Sequence, residues 1–208
     1  ILSGLVGSEM CIRDSPHLDN EGKLALIHNG IIENYVELRE ELEKRGHTFK
    51  SETDTESVVH LLSDARKKHG GDLAAAMREV CKELRGSFTL LALHSDDPER
   101  IVGARRNSPL VVGVGDGENF LASDVAAFIS NTKRALELGQ DEVVDITPKA
   151  IVVTDLSGKV LPHKEFEIAW DASAAERGGY PHFMLKEIYE QPKAVADTLI
   201  GRTSGLDD

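Results

Sequence analysis

The sequence is poor in cysteine, lacks any long apolar run and has no concentration of basic side chains. Cys11 and Cys81 are its two cysteines in 208 residues, too few for a disulfide framework and without the paired spacing of a zinc site. They suit a reducing compartment, so a cytoplasmic location is expected. No apolar stretch approaches the roughly 18 residues that would cross a bilayer, and no basic segment followed by a long apolar one opens the chain. Neither a membrane span nor a secretory leader is therefore expected. Acidic side chains outnumber basic ones 36 to 24, a formal charge of -12. Such a chain repels a polyphosphate backbone, no basic patch offsets the repulsion, and nucleic acid is not an expected partner. The eight histidines include no HExxH and no close pair backed by carboxylates, so neither a metal nor a cofactor is expected.

What is present reads as an ordinary globular chain, with 40% apolar and 29% charged residues, long enough for one large domain or a domain with a fragment of another. Residues 1–15 show neither strand alternation nor helical period and read as a non-native or disordered leader. Residues 16–179 form the expected main domain. A small, polar, glycine-rich stretch at 172–179 marks a boundary, and residues 180–208 read as a helical linker opening a second domain.

Within the main domain, KLALIHNG from Lys23 reads as a buried strand emptying into an Asn29-Gly30 turn. Ile31, Tyr35, Leu38 and Leu42 then repeat at helical spacing, closed by Gly46. A short strand is expected at 47–50, a helix capped by Thr53 or Asp54 running toward His69, and another capped by Asp72 and ending before Gly86. Strands expected at 88–93, 100–104, 110–114 and 119–122 suggest a meander, followed by a short capped helix at Asp124 and strands at 135–138, 142–146 and 150–154. Helices and strands grouped in blocks with short connections give an α+β class with antiparallel sheets.

Two stretches carry candidate chemistry. At His28-Asn29-Gly30, a side-chain amide donor and an unobstructed backbone N–H side by side would make an oxyanion hole; a plain Asn-Gly turn is the alternative. Along Ser51-Glu52-Thr53-Asp54-Thr55-Glu56, a helix start offers N–H groups for a carboxylate and Asp54 for an ammonium group, as an amino acid needs. A capping box between Thr53 and Glu56 is the alternative there. Gly113-Val-Gly115-Asp-Gly117 precedes a strand, not a helix, and so reads as a hairpin turn rather than a phosphate loop. Cys81 shares the buried face of its helix with Met77 and Leu84 and reads as core.

HNGIIENYVELREEL, SETDTE, ARRNSPLVVGVGDGENFLASD and KEIYEQP, in that order, closely resemble the glutaminase half of the glutamine–fructose-6-phosphate aminotransferase family. These are class II glutamine amidotransferases of the N-terminal-nucleophile fold, with αββα layers. The resemblance runs from Pro16 to about Arg202. It implies that an N-terminal cysteine, with its own α-amine as base, hydrolyses the glutamine amide. The ammonia is passed to fructose 6-phosphate in a further domain, giving glucosamine 6-phosphate and glutamate. On this resemblance Asn29 and Gly30 fall on the oxyanion-hole positions, Asp54 on the carboxylate that binds the α-amino group, and Lys186 to Pro192 on the connection to the sugar domain. A homo-oligomer is implied for the full-length protein.

The family's Met-Cys-Gly start and its substrate-gripping arginine precede His-Asn-Gly, and neither is found before His28 here. Cys11 is internal, lacks the following glycine and has no free α-amine, so it is not expected to be a nucleophile. The chain is therefore expected to be a piece of the aminotransferase, truncated at both ends and inactive alone, with an exposed sheet edge and poor solubility. Two other readings stay open: the glutaminase domain of a different class II amidotransferase, and a non-catalytic amino-acid-binding module. The downstream sequence separates the first, and ammonia release the second.

Overall fold

In the computed structural model, residues 15–169 and 180–199 are described. The chain divides into two compact units, Ile1–Ile168 and Ala169–Asp208. The expected leader, Ser15 apart, lies outside the described residues, as do Cys11 and the stretch 172–179 expected to mark a boundary.

Among the described residues, two antiparallel sheets and three α-helices build the first unit. The larger sheet has the order β1-β2-β3-β4-β8-β9, from His17–Leu18, Leu24–Ile32, Gly86–His94, Asp97–Arg106, Glu142–Thr147 and Ala150–Asp155. The smaller has the order β10-β7-β5-β6, from Phe166–Glu167, Arg134–Glu137, Val111–Val114 and Asn119–Ala122. Helices α1 (Tyr35–Lys44), α2 (Asp54–Lys68) and α3 (Leu73–Glu83) belong to the same unit. Their apolar stripes, among them Leu38, Leu42, Val58, Leu62, Met77 and Val80, share one core with Leu24, Leu26, Phe88 and Leu90 of the larger sheet. That burial is why the 3.6-residue period was readable in these segments. A second core, with Leu110, Val112, Leu136, Val144 and Ile146, lies between the two sheets. The class is α+β, and the layers run helices, sheet, sheet, with Phe128 and Ile129, beside the one-turn helix Val125–Ala127, packed on Ala135 of the smaller sheet.

Four features depart from expectation. First, β2 does not stop at Asn29-Gly30: it runs through to Ile32, pairing Asn29 with Thr89 and Gly30 with Phe88, and α1 begins only at Tyr35. Gly30 has φ +137°, and a Cβ there would sit 2.1 Å from the Ser87 carbonyl oxygen. The glycine permits close strand approach rather than a turn. Second, residues 47–50 form no strand; Asn20 Nδ2 donates to the Thr48 carbonyl at 2.8 Å and fixes this segment irregularly. Third, the strands do not meander, because β4 takes β8 as its next neighbour while β5 and β6 start the other sheet. Fourth, β1 and β10, two residues each, carried no readable alternation.

The strip beside the β1 edge is apolar and open. Leu18, Ile27 and Ile31 are 51%, 42% and 68% exposed. In the second unit the described element is α4, Phe183–Leu199, with Pro192 inside it.

Candidate active site at the end of β2

The end of β2 and the start of α2 meet at one cavity of about 450 Å³, lined by His28, Asn29, Gly30, Thr53, Asp54 and Thr55 among others. Sequence reasoning placed Asn29 with Gly30 and, 25 or so positions on, Asp54; the fold brings all three to this cavity. Alternation along β2 explains the arrangement. Leu24 and Leu26 enter the helix-side core, so His28, two further on, also turns toward the helices, where it meets Thr55 of α2. Asn29 takes the opposite sense, and both Asn29 and Gly30 are exposed.

Asp54 is held from two sides. Its Oδ2 accepts the Ile32 backbone N–H at 2.8 Å, and its Oδ1 accepts the Thr55 hydroxyl at 3.4 Å. The His28 Nδ1 lies 3.0 Å from Thr55 Oγ1 and 3.7 Å from Asp54 Oδ1. Burial pushes the His28 imidazole below its ordinary value of 6.5 and outweighs the opposing pull of the Asp54 charge; nearby His17 adds to the depression. The ring is therefore neutral at pH 7. Asp54 is the first residue of α2, where the positive end of the helix dipole favours a carboxylate. The side chain stays partly open to solvent, 23% exposed, so its charge is available to a ligand.

Glu56 does not form the capping box with Thr53. The N-cap Thr53 makes no side-chain cap bond. Glu56 instead reaches back along the preceding segment: Oε1 accepts Lys50 N–H at 2.7 Å, and Oε2 accepts Ser51 N–H at 2.7 Å and the Ser51 hydroxyl at 2.6 Å. Ser51 Oγ is 2.9 Å from Thr53 Oγ1, which is 3.3 Å from His17 Nε2. A buried carboxylate thus braces the wall that carries Thr53 and Asp54. Burial alone would raise the Glu56 carboxyl, but these hydrogen bonds win and hold it below its ordinary 4.5. Beside it, His60 is fully buried, stacked on His47 and edge-on to Phe49.

Sequence reasoning missed His28, Thr55 and Glu56 as parts of this site. His28 and Thr55 belong to the quoted motifs, and the two-residue alternation of the expected strand, through Leu24 and Leu26, already aims His28 inward. Nothing local signals the Glu56 brace.

Elsewhere, Gly115 N–H donates to the Glu118 carbonyl at 3.0 Å across the β5–β6 hairpin, as expected for a turn. Cys81 is buried on α3, and burial raises its thiol to about 12; it is core and does not line the cavity. Among the described residues no cluster of three or more acidic, histidine or cysteine side chains is placed to hold a metal, and no helix is long and apolar enough to cross a membrane.

A cavity lined by Asn29 and Gly30 at a strand end and by a helix-borne carboxylate suits an amino acid carrying a side-chain carbonyl. Residues 11–130 match the glutamine amidotransferase domain family, and the chain belongs to that family. Among curated proteins it is 60% identical, over 91% of its length, to the glutamine–fructose-6-phosphate aminotransferase (isomerizing) of Streptomyces coelicolor, and 52% identical over 90% to that of Thermus thermophilus. It spans about a third of the length of these relatives, 31% and 30%. Among solved structures, a glutamine phosphoribosylpyrophosphate amidotransferase from B. subtilis matches with TM-score 0.54 and 26% identity, covering 68% of this chain and 30% of that one. The structure described as the allosteric regulatory enzyme of purine biosynthesis matches with TM-score 0.56 and 26% identity, covering 70% and 32%. The fold is that of the N-terminal-nucleophile amidotransferases.

Proposed function

We propose that the cavity binds L-glutamine as the glutaminase site of a glutamine–fructose-6-phosphate aminotransferase. The observation that carries this is the convergence of Asn29, Gly30 and Asp54 on one cavity, in a chain 60% identical to such an enzyme. The ammonium group of glutamine pairs with Asp54, and the side-chain carbonyl lies toward the Asn29 amide and the Gly30 N–H. A thiolate attacks the carboxamide carbon, and the carbonyl oxygen takes up negative charge that the two donors stabilise. Collapse of this intermediate expels the protonated nitrogen as ammonia and leaves a thioester, which water hydrolyses to glutamate. The ammonia then aminates fructose 6-phosphate, a step assigned to the remaining length of the polypeptide.

The attacking thiol comes from outside the described residues. Cys81 is excluded by its burial and its high pKa. On the reading that Cys11, which lacks a following glycine, is not the nucleophile, the 208-residue chain taken alone binds glutamine without turnover. Calorimetry with L-glutamine tests the site: wild type binds, and Asp54→Asn, which keeps an acceptor for Ile32 N–H but loses the charge, weakens binding at least tenfold. Absence of binding by wild type overturns the reading. Ammonia release by this chain, abolished in Cys11→Ala, would overturn its inertness.

A further inference from the structure

We infer that His28 is a positioning residue for Asp54: through the Thr55 hydroxyl, its Nδ1–H orients the carboxylate that receives the substrate ammonium. The inference deepens the glutamine reading and rests on Asp54 being the ammonium site.

The direction of the hydrogen bonds follows from the groups themselves. A threonine hydroxyl has one proton to give. Thr55 Oγ1 lies between His28 Nδ1 at 3.0 Å and Asp54 Oδ1 at 3.4 Å. If Thr55 donated to His28, a nitrogen lone pair would face a carboxylate oxygen 3.7 Å away, and Asp54 Oδ1 would lose its hydroxyl donor. The ring proton would then sit on Nε2, which is buried and has no partner among the described residues. An orphaned buried N–H is costlier and rarer than an under-used acceptor. With the proton on Nδ1, the chain runs from the ring N–H to Thr55, and from the Thr55 hydroxyl to Asp54. Every donor is matched, and the bare acceptor at Nε2 is the single unmet group.

The consequence is a carboxylate fixed at both oxygens. Ile32 N–H holds Oδ2, and the His28–Thr55 pair holds Oδ1. The His28 side chain is only 2% exposed, so its effect on a ligand passes through Asp54. Because β2 carries His28 immediately before Asn29, one strand end sets both walls of the site.

The test uses three His28 variants in the 208-residue chain, together with two ligands. His28→Asn places an amide N–H near the position of Nδ1, whereas His28→Phe and His28→Leu supply none. Expected is near-wild-type glutamine affinity for His28→Asn and a loss of about tenfold for the other two. Glutaramate, the glutamine analogue without the ammonium group, is expected to bind weakly and equally to wild type and all variants. Equal losses of both ligands, or a His28→Asn as impaired as His28→Phe, overturn the inference. A second reading needs no ligand: ¹⁵N chemical shifts of the His28 ring report which nitrogen carries the proton. Nδ1 protonation, lost to a tautomer mixture in Thr55→Val, is expected, and Nε2 protonation in wild type overturns the inference. If wild type binds no glutamine, the functional reading falls while the tautomer measurement still decides the hydrogen-bond direction.

Discussion

Helices α2 and α3 each carry an aspartate at the N-terminal end, Asp54 as the first residue of α2 and Asp72 as the N-cap of α3, and the two do different things. At α3 the N-cap Asp72 accepts the Ala75 N–H at 3.0 Å, closing one of the free donors that every helix start leaves. At α2 the cap Thr53 makes no such bond. Asp54 faces Ile32 and Thr55, and Glu56 faces the Lys50–Ser51 segment. The first helix start serves its own helix, and the second serves a cavity. An acidic residue that its helix does not use for capping is therefore a pointer to a site, one that composition and spacing do not distinguish from an ordinary cap.

The contrast can be broken most forcefully at Glu56. Glu56→Ala leaves two backbone N–H groups and the Ser51 hydroxyl without their acceptor and is expected to destabilise the fold by about 3 kcal/mol, read from the urea midpoint at constant m. Glutamine affinity falls with it, since the wall bearing Asp54 loses its brace. Asp54→Asn reverses the pattern: its thermal midpoint stays close to wild type while glutamine affinity drops at least tenfold, about 1.4 kcal/mol. Asp72→Ala removes only a cap. It is expected to cost about 1 kcal/mol and to leave glutamine affinity unchanged, so an affinity loss there would erase the distinction between the two helix starts.

Acidity has the smallest effect, acting on the buried imidazoles. Burial lowers the imidazoles of His28, His60 and His94 below 6.5. Each binds its proton more weakly in the fold than in the unfolded chain, so its contribution is complete above 6.5 and declines as pH falls below that value. Asp19 and Glu56, held below 3.8 and 4.5 by their hydrogen bonds, contribute fully above those values and lose their share at still lower pH. A melting series from pH 7.5 to 4 is expected to show the first decline already below 6.5, and His60→Phe to flatten it. A curve level down to pH 5 would contradict the buried neutral histidines.

Much of the fold could be read in advance because its helices bury one stripe each and its later strands are β-branched runs with turn residues between them. Asn119–Ala122, for example, stands where the sequence puts it. The departures arise where a distant partner decides. Asn29-Gly30 carries a turn's local signature, yet β3 extends the strand through it. Residues 47–50 have strand-like composition, but Asn20 claims Thr48. Order along the chain suggests a meander, whereas β4 takes a strand distant in sequence, β8, as its hydrogen-bonded neighbour. For the site, Asn29, Gly30 and Asp54 were named through family motifs, while spacing alone left a turn and a capping box as alternatives. The His28–Thr55 contact spans 27 residues and has no local trace.

The nine-residue pairing of β2 with β3, from Leu24 opposite His94 to Ile32 opposite Gly86, makes alignment itself a chemical variable. Sliding one strand by a single step would turn the Asn29 side chain toward the helices and the His28 ring away from Thr55. Such a slide also brings Asn29 or Ile31 against the Ser87 carbonyl, where Gly30 leaves room for hydrogen alone. One missing methyl group thus acts as a key that lets the two ribbons lock in a single working alignment.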